Sequence, residues 1–164
     1  MSGHFAAIDF ETADYGADSA CAIAIVRGTH DQILSSHYWL IRPPRSQFEF
    51  THIHGLTWAD VEDQPTFAEL WPEMLEQLQD IDFIAAHNAS FDRKVMLTCC
   101  QAALITPPIW SFQCTVKLAR QVWNIRPTKL PNVCAALDIP LQHHNAKSDA
   151  EACAQIVIAA NQQR

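Results

Sequence analysis

Apolar and polar residues follow two rhythms along this chain, one of period two and one of helical spacing. From Phe5 to Phe10 nearly every residue is apolar, the pattern of a central strand covered on both faces. Side chains alternate along a strand, so Phe5, Ala7, Asp9 and Glu11 share one face. That face starts apolar and ends in two carboxylates. Further strands are predicted over Ala20–Arg27 and Gln32–Ile41, joined by the hairpin-length Gly28-Thr29-His30-Asp31. A loop with Pro43 and Pro44 then runs to His54 and Gly55. Thr57 with Asp60, and Thr66 with Glu69, have capping-box spacing. The second box opens a helix whose Phe67, Leu70, Trp71, Met74, Leu75 and Leu78 repeat at helical spacing. Phe83–Ala86 reads as a short buried strand, followed by a helix capped by Asn88. A fifth strand is predicted over Ile109–Cys114, after the Pro107-Pro108 break. Helices are predicted over Thr115–Val122, Leu130–Leu137 and Asp149–Asn161, the last capped by Ser148 with Glu151 three residues on.

Three antiparallel strands followed by βαβ crossovers predict an α/β fold, a mixed five-stranded sheet with helices on both faces. No repeat, linker or low-complexity tract interrupts it. A length of 164 residues predicts one domain spanning 1–164. An apolar content of 49% and a charged content of 18% are those of a globular chain. Met1-Ser2-Gly3-His4 leads straight into the first strand and leaves no room for a signal peptide. No apolar run approaches membrane-spanning length. The six cysteines form no Cys-x-x-Cys pair and sit mostly among apolar residues, as reduced core thiols of a cytoplasmic protein would. A net charge of −7 argues against broad electrostatic binding of duplex backbone. It leaves open a site for a few nucleotides that takes its positive charge from bound metal.

Acids carry the candidate chemistry. The Cα atoms of Asp9 and Glu11 should stand about 6.6 Å apart, two strand residues. At an effective dielectric of about 20 their charges repel by roughly 2.5 kcal/mol. The nearest Lys or Arg in sequence is Arg27. Such a pair suits a hard divalent cation, although a strand ending in surface acids explains it equally well. Asp92 should lie one turn into the helix after Asn88, on the face of Val95, Met96 and Cys99. An inward acid at the mouth of a βα turn stands where α/β folds place ligands. Asp149 should open the last helix, with His144 in the loop before it. A neutral imidazole beside metal-held water has the right pKa to take its proton near neutral pH.

The three stretches together resemble the DnaQ-like family of 3′→5′ exonucleases, in its branch with four acids and a histidine (DEDDh). Asp9-Phe10-Glu11-Thr12 matches the family's Asp-x-Glu-Thr, and His87-Asn88-Ala89-Ser90-Phe91-Asp92 its His-Asn-x-x-Phe-Asp. His144-Asn145-Ala146-Lys147-Ser148-Asp149 matches His-x-Ala-x-x-Asp; Asn145 stands where the tyrosine branch carries Tyr. His143 has the wrong spacing and reads as incidental. Ile53-His54-Gly55-Leu56-Thr57 and the segment Cys114–Arg120 are weaker matches, with Cys114 where many relatives carry Asp.

The resemblance implies an RNase H-like fold and two-metal hydrolysis with Mg²⁺ or Mn²⁺, two ions per site. It implies that Asp9, Glu11, Asp92 and Asp149 serve the metals and that His144 deprotonates the attacking water. The 3′ ends of single-stranded or frayed DNA would be shortened, releasing nucleoside 5′-monophosphates. Thr12 would contact the terminal sugar, the Ile53–Leu56 loop would stack on terminal bases, and Phe10, His54, Leu56, Asn88 and Phe91 complete the expected substrate contacts. Nucleic-acid 3′ ends are the expected partner, with no membrane and no polymerase-binding tail. RNA or small oligonucleotides are the alternative substrate. A non-catalytic nucleic-acid-binding subunit would be expected to have lost an acid or the histidine, and all five are present. Trp71 and Trp110 lie in patterned apolar segments and are expected in the core rather than as base-stacking platforms. Lys117, Arg120, Arg126 and Lys129 form a small basic group, either a solvated helix face or the edge of a substrate groove.

Overall fold

The structure is a computed structural model describing residues 2–164. Its strands are β1 (His4–Thr12), β2 (Ala20–Thr29), β3 (Ile33–Leu40), β4 (Phe83–Ala86) and β5 (Phe112–Cys114). They form one sheet in the order β3-β2-β1-β4-β5. β1, β2 and β3 pair antiparallel, whereas β4 joins β1 and β5 joins β4 in parallel. This is the mixed sheet that the apolar pattern predicts.

The alternation along β1 decides which helices lie on which side. Ala6, Ile8 and Phe10 pack under α3 (Phe67–Gln77) and α4 (Ala89–Ala102), against Leu70, Met74, Val95 and Met96. Phe5 and Ala7 face α7 (Ala146–Gln162) on the other side, against Ala150, Cys153, Ala154 and Val157. The alanines let α7 lie close to the sheet. Its outer side carries Ala152 and Ile156, covered by α5 (Thr115–Trp123) and α6 (Leu130–Leu137). Trp71 is in the core, and Trp110 packs edge-on against it with ring centroids 6.3 Å apart. Among the described residues, no helix is long and apolar enough to cross a membrane.

β1 outruns β4. Pairing between them covers only Phe5 to Ala7, while β1 continues to Thr12. The His4 carbonyl accepts the Asp82 N–H, so even-numbered residues of β1 direct their backbone groups toward β4. Beyond the last pair, Ala7 with Ala85, the Phe10 N–H has no strand to meet. On the other edge, the β1–β2 register shifts between Glu11 and Thr12, which leaves Cys21 of β2 as an extra residue and bends the strand end.

Several boundaries differ from the pattern. β5 starts at Phe112, because Ile109 after the two prolines is fully exposed. The loop before Gly55 contains a single helical turn, α1 (Thr51–His54), closed by Gly55 at φ +78°, where a left-handed residue is required. Another short turn, α2 (Trp58–Val61), carries the expected Thr57–Asp60 capping box. The last helix starts three residues earlier than predicted. Its cap is Asn145, whose Oδ1 accepts the Ser148 N–H at 3.1 Å. The Ser148 hydroxyl instead accepts the Gln142 N–H at 2.7 Å, and Asp149 becomes the fourth helical residue. Asn88 precedes α4 as expected, but with φ +67° and no side-chain cap bond; it serves as a left-handed turn residue.

Candidate active site

The end of β1 brings the separate acids together. Asp9 and Glu11 point to the α7 side, and Asp149 faces them from the first turns of α7. Carboxylate oxygens of the three lie within 4.8 Å of one another. Asp92 comes from α4, on the opposite layer, and is 2% exposed. Its Oδ1 accepts the Phe10 N–H at 2.9 Å, one of the backbone groups that β4 is too short to reach. The acid that breaks the apolar face of α4 thus seals the open edge of β1.

Electrostatics set this cluster apart. Burial first, then the charges of Asp92, Glu11 and Asp149, push the Asp9 carboxyl well above its ordinary range. Burial, then Asp149 and Asp92, raise Glu11 to about 8. Burial raises Asp92 to about 7 despite the Phe10 N–H. Asp149 is also raised by burial, with His143 and the His144 N–H pulling the other way. Among the described residues no Lys or Arg forms an ion pair with any of the four. Asp14 and Asp18, a few residues along, show the contrast. Arg45 bridges both, at 2.8 Å and 2.6 Å, and holds both carboxyls below their usual range. The acids beside the strand end thus have a cation of their own, and the four clustered ones do not. An all-oxygen donor set, Asp92 and Asp149 buried and Asp9 and Glu11 half-buried, fits a hard divalent cation such as Mg²⁺ or Mn²⁺.

The histidines sit at the rim. His144 adopts φ +67°, and its N–H donates to Asp149 Oδ2 at 3.2 Å. His143 is not incidental. Its Nδ1 lies 3.4 Å from Asp149 Oδ1, and its ring stacks on His144 with centroids 3.8 Å apart. In an extended segment neighbouring side chains would point apart; the left-handed turn at His144 puts them on one side. Motif spacing carries no signal for this.

Comparison with known proteins bears on this arrangement. The RNase_T family model, described as Exonuclease, matches residues 6–157. The chain belongs to the exonuclease family. DNA polymerase III PolC-type of Thermotoga maritima is 30% identical to this exonuclease domain over 158 residues, 94% of this chain and 12% of the polymerase. Exodeoxyribonuclease 10 of Escherichia coli K12 is 30% identical over 143 residues, 83% of this chain and 59% of that protein. The chain therefore spans less than two thirds of either relative. Exonuclease X, solved in complex with 5′ overhanging duplex DNA, shares the fold with TM-score 0.69 at 23% identity, over 96% of this chain and 89% of that one. Exonuclease I shares it with TM-score 0.77 at 17% identity, over 97% and 40%. The fold is the RNase H-like one implied by the three motifs, and the family generally uses divalent metal ions.

Around the acids of this exonuclease domain, the expected substrate-contacting residues divide. Thr12 is buried at the strand end, beside a cleft shared with Tyr15, Phe50, Phe91 and Lys94. Phe91 and Asn88 are exposed there or close by. Phe10 is a correction. It is an even-numbered residue of β1, 3% exposed, and its side chain lies in the core under α3 and α4. Leu56 packs beside Ala13, Cys21 and Val61. His54 is held within the protein: Nδ1 accepts the Leu56 N–H at 3.0 Å, so Nε2 carries the proton and donates to the Thr12 carbonyl at 3.0 Å. Burial lowers its pKa, in keeping with this neutral form. It ties the loop to the strand end.

His87, quoted only as part of a motif, holds a buried network. Its Nε2–H donates to the Thr128 carbonyl at 2.9 Å, so Nδ1 accepts from the Thr115 hydroxyl at 2.8 Å. Arg120 Nε in turn donates to the Thr128 hydroxyl at 2.9 Å, while Arg120 stays exposed together with Lys117, Arg126 and Lys129. Burial raises the Cys114 thiol, but backbone N–H groups of Ala89, Lys117, Val116 and Asn88 more than offset this and leave it below its ordinary value.

Proposed function

We propose that this chain is a 3′→5′ exonuclease of the four-acid, histidine type, acting on the 3′ ends of single-stranded or frayed DNA. One observation carries the reading: Asp9, Glu11 and Asp149 converge without a Lys or Arg partner, with Asp92 behind them and His144 at their edge. Asp9, Glu11 and Asp149 would hold divalent cations, with Asp92 assisting through water. When bound, such ions stabilise the attacking and leaving oxygens of a phosphodiester. His144 accepts a proton from the attacking water at its free ring nitrogen. The water oxygen bonds to phosphorus as the P–O3′ bond breaks and O3′ takes a proton from solvent water, leaving a shortened strand with a 3′-hydroxyl and a nucleoside 5′-monophosphate. Thr12, Phe91 and the loop that His54 anchors border the path of the terminal nucleotide. The identity with Exodeoxyribonuclease 10 supports DNA over RNA.

The test is 5′-labelled single-stranded DNA and RNA of equal length with Mg²⁺ or Mn²⁺. A DNA ladder shortening from the 3′ end is expected, and Asp9→Ala should abolish it. Intact DNA in both metals overturns the proposal; faster loss of the RNA moves the substrate to RNA.

A further inference from the structure

The geometry points to a second metal site, His143–His144–Asp149, that takes an imidazole-preferring cation of the Zn²⁺ class and silences the neighbouring carboxylate site. A nitrogen of each ring and a carboxylate oxygen lie within 4.8 Å of one another. Ligands at about 2.0–2.1 Å from one tetrahedral ion stand roughly 3.4 Å apart. His143 Nδ1 and Asp149 Oδ1 already have that spacing, at 3.4 Å. Closing the rest requires the donors to draw in by about 1 Å and the two rings, stacked with centroids 3.8 Å apart and 29° between their planes, to turn so that each aims a nitrogen lone pair at the ion. Both histidines are exposed and Asp149 is buried, so a cation arrives from solvent onto an anchored carboxylate. The Asn145 cap and the Asp149 bond to the His144 N–H hold the loop in this shape.

Donor chemistry separates the two sites. Three carboxylates suit Mg²⁺ or Mn²⁺, which take oxygen ligands. Two imidazoles and one carboxylate suit Zn²⁺, with a fourth position open to water. The sites share Asp149, and the second consumes the His144 ring. An ion there withdraws a carboxylate from the first site and occupies the proton acceptor. Binding is independent of the proposed reaction, whereas inhibition rests on that reading.

Zn²⁺ affinity is measured by competition with a chromophoric chelator, in excess Mg²⁺, on the whole chain and on Asp9→Asn, His143→Ala and His143→Gln. Co²⁺ in place of Zn²⁺ reports the coordination through its visible spectrum. One Zn²⁺ per chain is expected, retained in Asp9→Asn. Losing a direct ligand in either His143 variant should weaken binding at least as much as losing an outer-shell partner, about 10- to 100-fold. The Zn²⁺ concentration that halves nuclease activity, each protein normalised to its own Zn²⁺-free rate, should rise by the same factor. Equal Zn²⁺ affinity in wild type and both His143 variants overturns the site, as does loss of binding in Asp9→Asn. If the chain cleaves nothing with Mg²⁺ or Mn²⁺, the proposed function fails while the binding measurement still decides the site.

Discussion

Asp92, on a helix below the sheet, accepts the backbone N–H of Phe10 in the central strand at 2.9 Å. One carboxylate therefore closes the strand edge and adds negative charge to the acid cluster. The two roles come apart by substitution. Asp92→Asn keeps an acceptor for the Phe10 N–H and should leave the melting temperature without metal unchanged or higher. Its metal-dependent rate should fall by about 10- to 100-fold, the cost typical of a supporting metal partner. Asp92→Ala leaves a buried donor unsatisfied and should lose about 1–3 kcal/mol in denaturant unfolding as well. Full activity in Asp92→Asn would remove Asp92 from the site.

Proton occupancy should oppose metal binding. Asp9, Glu11, Asp92 and Asp149 all hold protons more tightly in the folded chain than ordinary carboxyls do. Between the unfolded value, about 4, and about 8 for Glu11, the folded state binds more protons than the unfolded one. Stability without metal should therefore fall as pH rises through that window. The gain in melting temperature on adding Mn²⁺ should be larger at about pH 8.5 than at about pH 5.5. An equal gain at both would mean that the ion binds elsewhere.

His144→Ala separates proton transfer from metal binding. The rate should drop by about 10²- to 10⁴-fold, the contribution of a general base. Mg²⁺ affinity, followed by calorimetry, should change little, because the first site uses oxygens alone. A variant that keeps its full rate refutes the assignment.

The approach of α7 is tested at Ala150, which is completely buried against the sheet. Ala150→Leu overpacks that contact and should cost about 1–3 kcal/mol. It should also weaken metal binding, since Asp149 is its neighbour in sequence. A stability loss with unaltered metal affinity would show that the helix end yields independently.

Much of this arrangement is legible in the residues, and the exceptions have local physical causes. The odd–even alternation of β1 places Asp9 and Glu11 correctly, and applied strictly it also sends the Phe10 side chain into the core. The inward face of α4 identifies Asp92. The start of α7 is ambiguous because both Asn145-x-x-Ser148 and Ser148-x-x-Glu151 satisfy capping patterns. The choice falls to the Gln142 N–H, which engages the Ser148 hydroxyl. His143 is invisible to motif spacing because a left-handed residue after it reverses the side to which neighbouring side chains point. The His87 network joins residues 28 and 41 positions apart in sequence, and no local pattern encodes those partners.

The shortness of β4 has a consequence of its own. A strand that stops beside Ala7 leaves a notch inside the sheet, bounded by β1 on one side and roofed by the starts of two helices. The pocket is made of omitted residues as much as of acids. Two more paired residues on β4 would fill the notch with backbone, satisfy the Phe10 N–H and displace Asp92, closing the site without altering a single carboxylate.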